Sequence, residues 1–132
     1  MNNVVVGIIT RKRKSVKEYL LISSKRDFRE YTGFYYPPGG HLEEGEDEKT
    51  SLIREIKEEL SVEVTPTEKV TQTPGDVENQ ITHWWKCDVK NYDFTLEEKE
   101  LSKIVWFTRK EILKHQKVWP ATKKFFEQYI SD

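Results

Sequence analysis

The stretch from Gly39 to Val62, GGHLEEGEDEKTSLIREIKEELSV, limits most strongly what this chain can fold into. Its two glycines follow Pro37 and Pro38, and this combination of proline with glycine predicts a turn. Asp47 then stands where a helix N-cap is preferred, and apolar residues recur behind it at helical spacing. These apolar residues are Leu52, Ile53, Ile56 and Leu60. The pattern predicts a turn followed by an amphipathic helix with one face on a core.

Short apolar segments on both sides of this helix predict a sheet. The first two, residues 4–9 and 19–22, are expected to pair as a hairpin across a charged loop, Arg11 to Ser15. Further strands are expected at residues 34–36, 62–65, 69–73, 81–89 and 104–107. Thr108 to Glu111 has the spacing of a capping box, and Pro120 suits the first turn of a last helix. The sum is an α/β fold with a mixed sheet, one central helix and a helical C-terminal part.

Length and composition limit the broad class of the protein. The 132 residues fit one domain that spans residues 1–132. A formal net charge of -1 gives no global attraction to nucleic acids or membranes. The single cysteine, Cys87, excludes an internal disulfide framework, and the first apolar run is too short to cross a bilayer. We therefore expect a cytoplasmic protein without a membrane partner.

Three glutamates of the expected helix, Glu55, Glu58 and Glu59, are three or four residues apart or adjacent and so share one face. Carboxylates crowded in a sheltered place repel one another, so either their pKa values rise or a cation lies among them. Hard oxygen ligands select Mg²⁺, Mn²⁺ or Ca²⁺ over soft metals. The backbone carbonyl of Gly39 could add one more ligand, since glycine has no Cβ. The same glutamates are also compatible with an ordinary solvated helix face.

The spacing of the whole stretch is more specific than the glutamates alone. Gly40, Glu46, the run 54–56, the pair 58–59 and the pair 61–62 are separated by five, seven, one and one residues. This arrangement resembles the Nudix box, G-x5-E-x7-R-E-U-x-E-E-x-G-U with U aliphatic. Ser61 stands where the family has glycine. The resemblance implies an α/β/α sandwich around a mixed β-sheet and metal-assisted hydrolysis of a pyrophosphate bond in a nucleoside di- or triphosphate derivative.

The resemblance also implies roles for particular residues. It makes Glu55, Glu58 and Glu59 metal ligands, with the Gly39 carbonyl as a possible addition, and one glutamate a general base. Arg54 and Glu46 are expected to form an orienting pair that holds the helix against the preceding loop. The family places a further acidic ligand on a loop before a late strand. Candidates here are Glu97, Glu98 and Glu100, of which Glu100 is included in the metal set; a solvated acidic loop is the alternative.

Four residues are expected on the substrate side. Arg26 follows the second strand and could bind a phosphate, although it could equally lie in a surface loop. Tyr36 could stack on a base, which is worth about 1–3 kcal/mol, or pack in the core. Gly40 belongs to the glycine turn beside the glutamates. Trp84 is expected to line a pocket, with Trp85 on the opposite face of the same strand.

Several alternatives remain open at this level. The basic run from Arg11 to Lys14 would suit an RNA 5′-end pyrophosphohydrolase, but exposed hairpin loops have the same composition. A catalytically silent Nudix module that only binds nucleotides is a third possibility. Both a monomer and a homodimer are compatible with the sequence. Ser61 is expected to tolerate a left-handed conformation at a cost of about 1 kcal/mol, away from the glutamates.

Overall fold

A computed structural model describes residues 1–131. The end of the predicted domain, Asp132, lies outside the described residues. The strands are β1 (Asn2–Ile8), β2 (Thr10–Arg13), β3 (Val16–Ser24), β4 (Tyr35–Tyr36), β5 (Gly39–His41), β6 (Val64–Pro74), β7 (Gln80–Val89) and β8 (Leu101–Thr108). The helices are α1 (Glu48–Leu60), α2 (Arg109–Lys114) and α3 (Pro120–Tyr129). No helix among these residues is long and apolar enough to cross a membrane.

The strands form two four-stranded sheets. In the first, with order β5-β1-β7-β6, β1 and β7 are parallel and the other pairs are antiparallel. In the second, β3 pairs antiparallel with β2, β4 and β8. The mixed sheet that the sequence predicts is therefore confirmed.

Alternate residues of the inner strands face two separate cores, as the period of a strand requires. Val5 and Leu20 pack in one core with Leu52 and Ile56 of α1. Their chain neighbours, Val6 and Leu21 among them, pack in the other core with α2 and α3. The helices therefore cover opposite faces, and the expected α/β/α sandwich is confirmed.

The expected hairpin between residues 4–9 and 19–22 is wrong. Strand β1 pairs with β5 and β7, whereas the hairpin consists of β2 and β3. The chain passes from one sheet to the other near Ile9, so two segments that are close in sequence belong to different sheets. The expected charged loop is likewise mostly strand, and its turn contains Lys14 and Ser15, with φ angles of 51° and 66°.

The two glycines lie in a strand rather than in the expected turn, because Gly39 and Gly40 pair with β1. Gly39 has a φ of 155°, and a Cβ there would lie 1.9 Å from the carbonyl oxygen of Val5. Glycine is thus required at this position by close backbone approach and not by chain reversal.

Helix α1 begins and ends as the sequence predicts, with one exception on its apolar face. The Asp47 side chain accepts a hydrogen bond of 2.8 Å from the Thr50 amide, and Ser61 adopts the left-handed conformation with φ 57°. Ile53, however, is 39% exposed and lies outside the core. Its neighbours in the expected stripe, Leu52 and Ile56, are fully buried. The capping box at Thr108 and the proline that opens α3 are both present.

Candidate active site

Arg54 joins helix α1 to the loop that precedes it. Its Nε and Nη2 atoms donate to the two carboxylate oxygens of Glu46 at 2.8 and 2.9 Å, a bidentate geometry that fixes both partners. The hydrogen bond from Arg54 lowers the pKa of Glu46 to about 2. The third nitrogen, Nη1, donates to Glu55 at 3.0 Å and to Glu58 at 3.4 Å. Arg54 therefore reaches into the glutamate face as well as holding the loop.

Glu55 lies directly against the backbone of β5. A Cβ on Gly40 would lie 2.2 Å from Oε2 of Glu55, so any side chain at position 40 would displace the carboxylate. Burial raises the pKa of Glu55, an effect that Arg54 opposes and that Glu58 and Glu43 reinforce. Glycine at position 40 thus leaves the Glu55 carboxylate room to lie against β5.

Glu59 is the most strongly perturbed carboxylate of the helix. Its Oε1 accepts a hydrogen bond of 2.8 Å from the backbone amide of Gly39. Burial raises the pKa of Glu59 to about 8, with the negative charges of Glu55, Glu58 and Glu100 adding to the shift. In this arrangement Glu59 holds a proton near neutral pH. The contact made by Gly39 is its N–H, whereas the sequence suggested its carbonyl.

Glu58 is the open member of the face, since its side chain is 59% exposed. No three His, Cys, Asp or Glu side chains within residues 1–131 converge closely enough to form a metal site as they stand. The contacts already described give the physical reason: Arg54 engages Glu55 and Glu58, while the Gly39 amide engages Glu59.

The three acidic candidates of the late loop have different surroundings. The carboxylate of Glu97 accepts from the amides of Lys99 and Glu100 at 2.8 and 2.9 Å, so it caps its own turn. The Glu98 backbone carbonyl accepts from Lys25. The charge of Glu100 is near enough to affect Glu59 and Tyr36. Of the three, Glu100 is the one that the fold brings to the glutamate face.

Tyr36 and Arg26 lie beside this face. Burial raises the pKa of Tyr36, the nearby Glu59 raises it further, and the Arg26 charge opposes the shift. Arg26 also places its guanidinium 5.4 Å from the ring centroid of Phe28. A neutral phenol and a guanidinium thus lie together next to Glu59 and Glu100.

Trp84 lies away from this group, which corrects its choice as a pocket residue. It is 1% exposed, stacks on Phe125 of α3 at 4.1 Å and donates to Thr73 at 2.9 Å. The alternation of β7 places Trp85 on the α1 side instead, where its indole N–H donates to Glu48 at 2.9 Å. Trp84 belongs to the core under α3, so it does not reach the glutamate face.

An aromatic cluster near Arg26 has no signature in the sequence. Tyr31 stacks on Trp119 at 4.7 Å, and Phe28 and Phe34 meet the same ring edge-on. Its members come from the loop after β3 and from the start of α3, about 90 residues apart in the chain. Only the tertiary fold brings them together, so spacing along the sequence could not have found them.

These groups offer a concentrated negative face with one arginine, one protonated carboxyl and one neutral phenol. Such a face attracts a hard cation, and the carboxyl of Glu59 can give or take a proton near neutral pH. A family model described as NUDIX domain matches residues 1–129.

The chain belongs to the NUDIX domain family. As a Nudix hydrolase it falls among the enzymes that act on phosphoric anhydrides. It is 30% identical over 131 residues to the CTP pyrophosphohydrolase of Escherichia coli (strain K12). The matched region covers 99% of this chain and 93% of the relative.

Solved structures agree with this Nudix assignment. The solution structure of the E. coli ORF135 protein is 27% identical and superposes with a TM-score of 0.74 over 96% of this chain and 86% of that one. The crystal structure of MutT protein from Methanosarcina mazei Go1 is 25% identical, with a TM-score of 0.81 over 96% and 91% of the two chains.

Proposed function

We propose that this Nudix hydrolase is a divalent-metal-dependent nucleotide pyrophosphohydrolase that converts a nucleoside triphosphate and water into the monophosphate and pyrophosphate. The observation that carries the proposal is the glutamate face of α1, with Glu55 and Glu59 held against the two glycines of β5. The similarity to a CTP pyrophosphohydrolase makes pyrimidine nucleoside triphosphates the first substrates to test.

The residues present fit a hard divalent cation. Glu55, Glu58, Glu59 and Glu100 supply only oxygen donors, which Mg²⁺ prefers, and Mn²⁺ has similar requirements. Burial raises the pKa of Glu59 and the neighbouring carboxylates add to the shift, and a cation among them would favour the ionised form. The Gly39 carbonyl remains a proposed addition to the set. When bound, the metal would neutralise phosphate charge and lower the pKa of a coordinated water.

The side chains of the chain itself supply orientation and proton transfer. Arg54, through its bidentate bond to Glu46, fixes the helix relative to the loop. Glu59, with Oε1 held by the Gly39 amide, is the proposed general base in its ionised form, which a bound cation would favour against the effect of burial. Glu55 and Glu58 are the alternatives for this role.

On the substrate side, Arg26 is the proposed phosphate contact. A guanidinium recognises phosphate oxygens by charge-assisted hydrogen bonds. Tyr36 remains a proposed substrate contact, as does the backbone of Gly40. The aromatic cluster around Trp119 lies next to Arg26 and would offer the base an apolar surface.

A substrate screen tests the proposal. Ribo- and deoxyribonucleoside triphosphates would be incubated with Mg²⁺ or Mn²⁺, and pyrophosphate and monophosphate would be measured. We expect release of pyrophosphate with at least one triphosphate and loss of activity after chelation with EDTA. Nucleotide binding without any turnover would instead support the silent binding module and contradict the proposed reaction.

The RNA 5′-end alternative has less support in the fold. Within the basic run, Arg11 donates to Glu18 at 2.8 Å and lies over the Trp106 ring at 4.5 Å. One of the four cations is therefore engaged within the chain. We also propose a cytoplasmic location, with which the free, buried Cys87 is consistent. The protein is proposed to be a monomer or a homodimer.

A further inference from the structure

Strand β3 ends in two adjacent serines that face opposite ways. Ser23 is 1% exposed, and its hydroxyl forms a hydrogen bond of 2.6 Å with the hydroxyl of Ser102 on β8. Ser24 is 6% exposed and faces the groups already described around Glu59. A buried hydroxyl is costly without partners, so the bonds of Ser24 show what it holds in place.

The Ser24 hydroxyl joins two parts of the candidate site. It donates to the backbone carbonyl of Glu100 at 3.3 Å and accepts from the backbone amide of Arg26 at 3.0 Å. The amide of Lys25 donates to the same Glu100 carbonyl at 2.7 Å. The Tyr36 hydroxyl also lies next to Ser24. A single small side chain thus connects the acidic loop, the Arg26 segment and β4.

The strand pairing is irregular at this point. Ser23 pairs with Lys103 but Ser24 pairs with Leu101, so Ser102 is the extra residue of a β-bulge. Bulges are frequent next to active sites, where they re-aim a side chain or end strand pairing. Here the bulge residue, Ser102, lies two residues after Glu100 in the chain, and the Ser24 hydroxyl donates to the Glu100 backbone carbonyl. The bonds from the Ser24 hydroxyl and the Lys25 amide therefore hold the Glu100 backbone just before β8 begins.

We propose that Ser24 is a positioning residue for the Nudix reaction. Its hydroxyl holds the backbones of Glu100 and Arg26 in place beside Glu59 of α1. The inference rests on the proposed function, since it assigns Glu100 to the cation and Arg26 to the phosphate. Ser24 itself touches neither, and its effect passes through the backbone of these two residues.

The test compares Ser24→Ala with Ser23→Ala, which removes an equally buried hydroxyl one residue away on the other face. Calorimetry on the nucleotide-free protein would measure the Mn²⁺ affinity. Steady-state kinetics with the best triphosphate from the screen would give KM and kcat, and thermal unfolding would give the stability. Ser24→Ala is expected to weaken Mn²⁺ affinity and to raise KM, each by about 3–10-fold, the range of one typical hydrogen bond. Ser23→Ala should lower the melting temperature comparably and leave both constants unchanged.

Two more variants separate the effect of the Ser24 hydroxyl from the effect of the space that its side chain fills. Ser24→Thr keeps the hydroxyl and should retain the Mn²⁺ affinity of the wild type. Ser24→Cys fills a similar space with a weak hydrogen-bonding group and should behave like Ser24→Ala, which keeps the test open if the alanine variant does not fold.

The outcomes distinguish the two proposals. If the wild type binds Mn²⁺ and turns over nucleotide, but Ser24→Ala or Ser24→Cys matches Ser23→Ala in every constant, the positioning role is overturned and the proposed function stands. If the wild type shows neither Mn²⁺ binding nor turnover, the proposed function fails and this inference fails with it.

Discussion

Both ends of helix α1 carry glutamates, but the surroundings of these glutamates differ between the two ends. At the N-terminal end, Glu48 is 3.0 Å from the ammonium of Lys69 and accepts from the Trp85 indole at 2.9 Å. His83 completes this group, with Nδ1 accepting from Lys69 and Nε2 donating to Asn3, both at 2.9 Å. At the C-terminal end, Glu55 and Glu58 share one arginine, Arg54, and Glu59 has only the Gly39 amide as a hydrogen-bond donor within residues 1–131.

The shifts of pKa report the same difference. Although burial opposes it, hydrogen bonds from Trp85 and Lys69 lower the pKa of Glu48. Burial and neighbouring carboxylates raise the pKa of Glu59 to about 8. The surroundings of Glu48 thus stabilise its ionised form. The surroundings of Glu59 disfavour the ionised form, so this carboxyl either holds a proton or needs a cation beside it. Carboxyl groups with strongly raised pKa values cluster at functional sites.

The largest expected effect comes from Glu59→Gln at the acidic end. The amide keeps an acceptor for the Gly39 N–H but can neither bind a cation as a carboxylate nor take a proton. We expect turnover of the nucleotide substrate to fall by about 10²–10⁴-fold, the range of general acid–base catalysis. The melting temperature should be equal to or above that of the wild type, because the amide replaces a carboxyl whose ionised form is disfavoured by burial. Steady-state kinetics and thermal unfolding of the same preparations would measure both.

Retained turnover in this variant would show that Glu59 is neither a ligand nor the base. A large drop in melting temperature with little change in kcat would mean that Glu59 acts like Glu48, and the contrast between the two ends would disappear.

The opposite pattern is expected for Glu48→Ala at the N-terminal end. The change leaves the Lys69 ammonium and the Trp85 N–H without their carboxylate. After allowance for the partial exposure of this group, we expect a loss of about 1–2 kcal/mol in the free energy of unfolding. The kcat should remain within a few-fold of the wild type. Denaturant unfolding measures the loss.

Glu63→Ala is the matched control, because Glu63 forms an ion pair of 2.8 Å with Lys90 on the exposed surface. It should change stability little. Equal losses from Glu48→Ala and Glu63→Ala would show that the network at the helix start has no special strength.

A smaller effect is expected from pH at the same end. Burial, together with the charge of Lys69, lowers the pKa of His83, while Glu48 opposes the shift. The unfolded chain therefore binds a proton at His83 more readily than the folded chain does, so stability should decline as pH falls below about 6.5. The melting temperature of the wild type between pH 7.5 and 5.5 should fall more steeply than that of His83→Gln. Parallel curves for the two proteins would contradict this assignment.

The sequence predicts the acidic end of α1 better than the N-terminal end, for physical reasons. Glu55, Glu58 and Glu59 lie on one helix face, so their proximity follows from local periodicity. Lys69 and His83 reach Glu48 only through the pairing of β6 with β7, which no spacing along the chain reveals. The same limit explains Trp84, where the period of the strand identified two faces but not which one α1 covers.

Glycines illustrate a second limit. The sequence predicts that Gly39 and Gly40 matter because they lack a Cβ, and the structure shows close approaches at both. It assigns them to a turn, however, because proline and glycine together usually indicate one. The pairing of β5 with β1, some 35 residues away, decides the outcome instead.

The smallest expected effect is that of Ser61→Gly at the C-terminus of α1. Ser61 has a φ of 57° and donates its amide to the Lys57 carbonyl at 3.0 Å, the geometry that glycine adopts most readily. Relief of left-handed strain would stabilise the fold by about 1 kcal/mol, but glycine also gains freedom in the unfolded chain worth about 0.4–1 kcal/mol. A net gain of less than about 1 kcal/mol should therefore appear in denaturant unfolding, with kcat unchanged. If kcat rises strongly while stability does not, the helix end and the glutamates are coupled. The departure from the Nudix pattern at Ser61 would then belong to the chemistry of the acidic end.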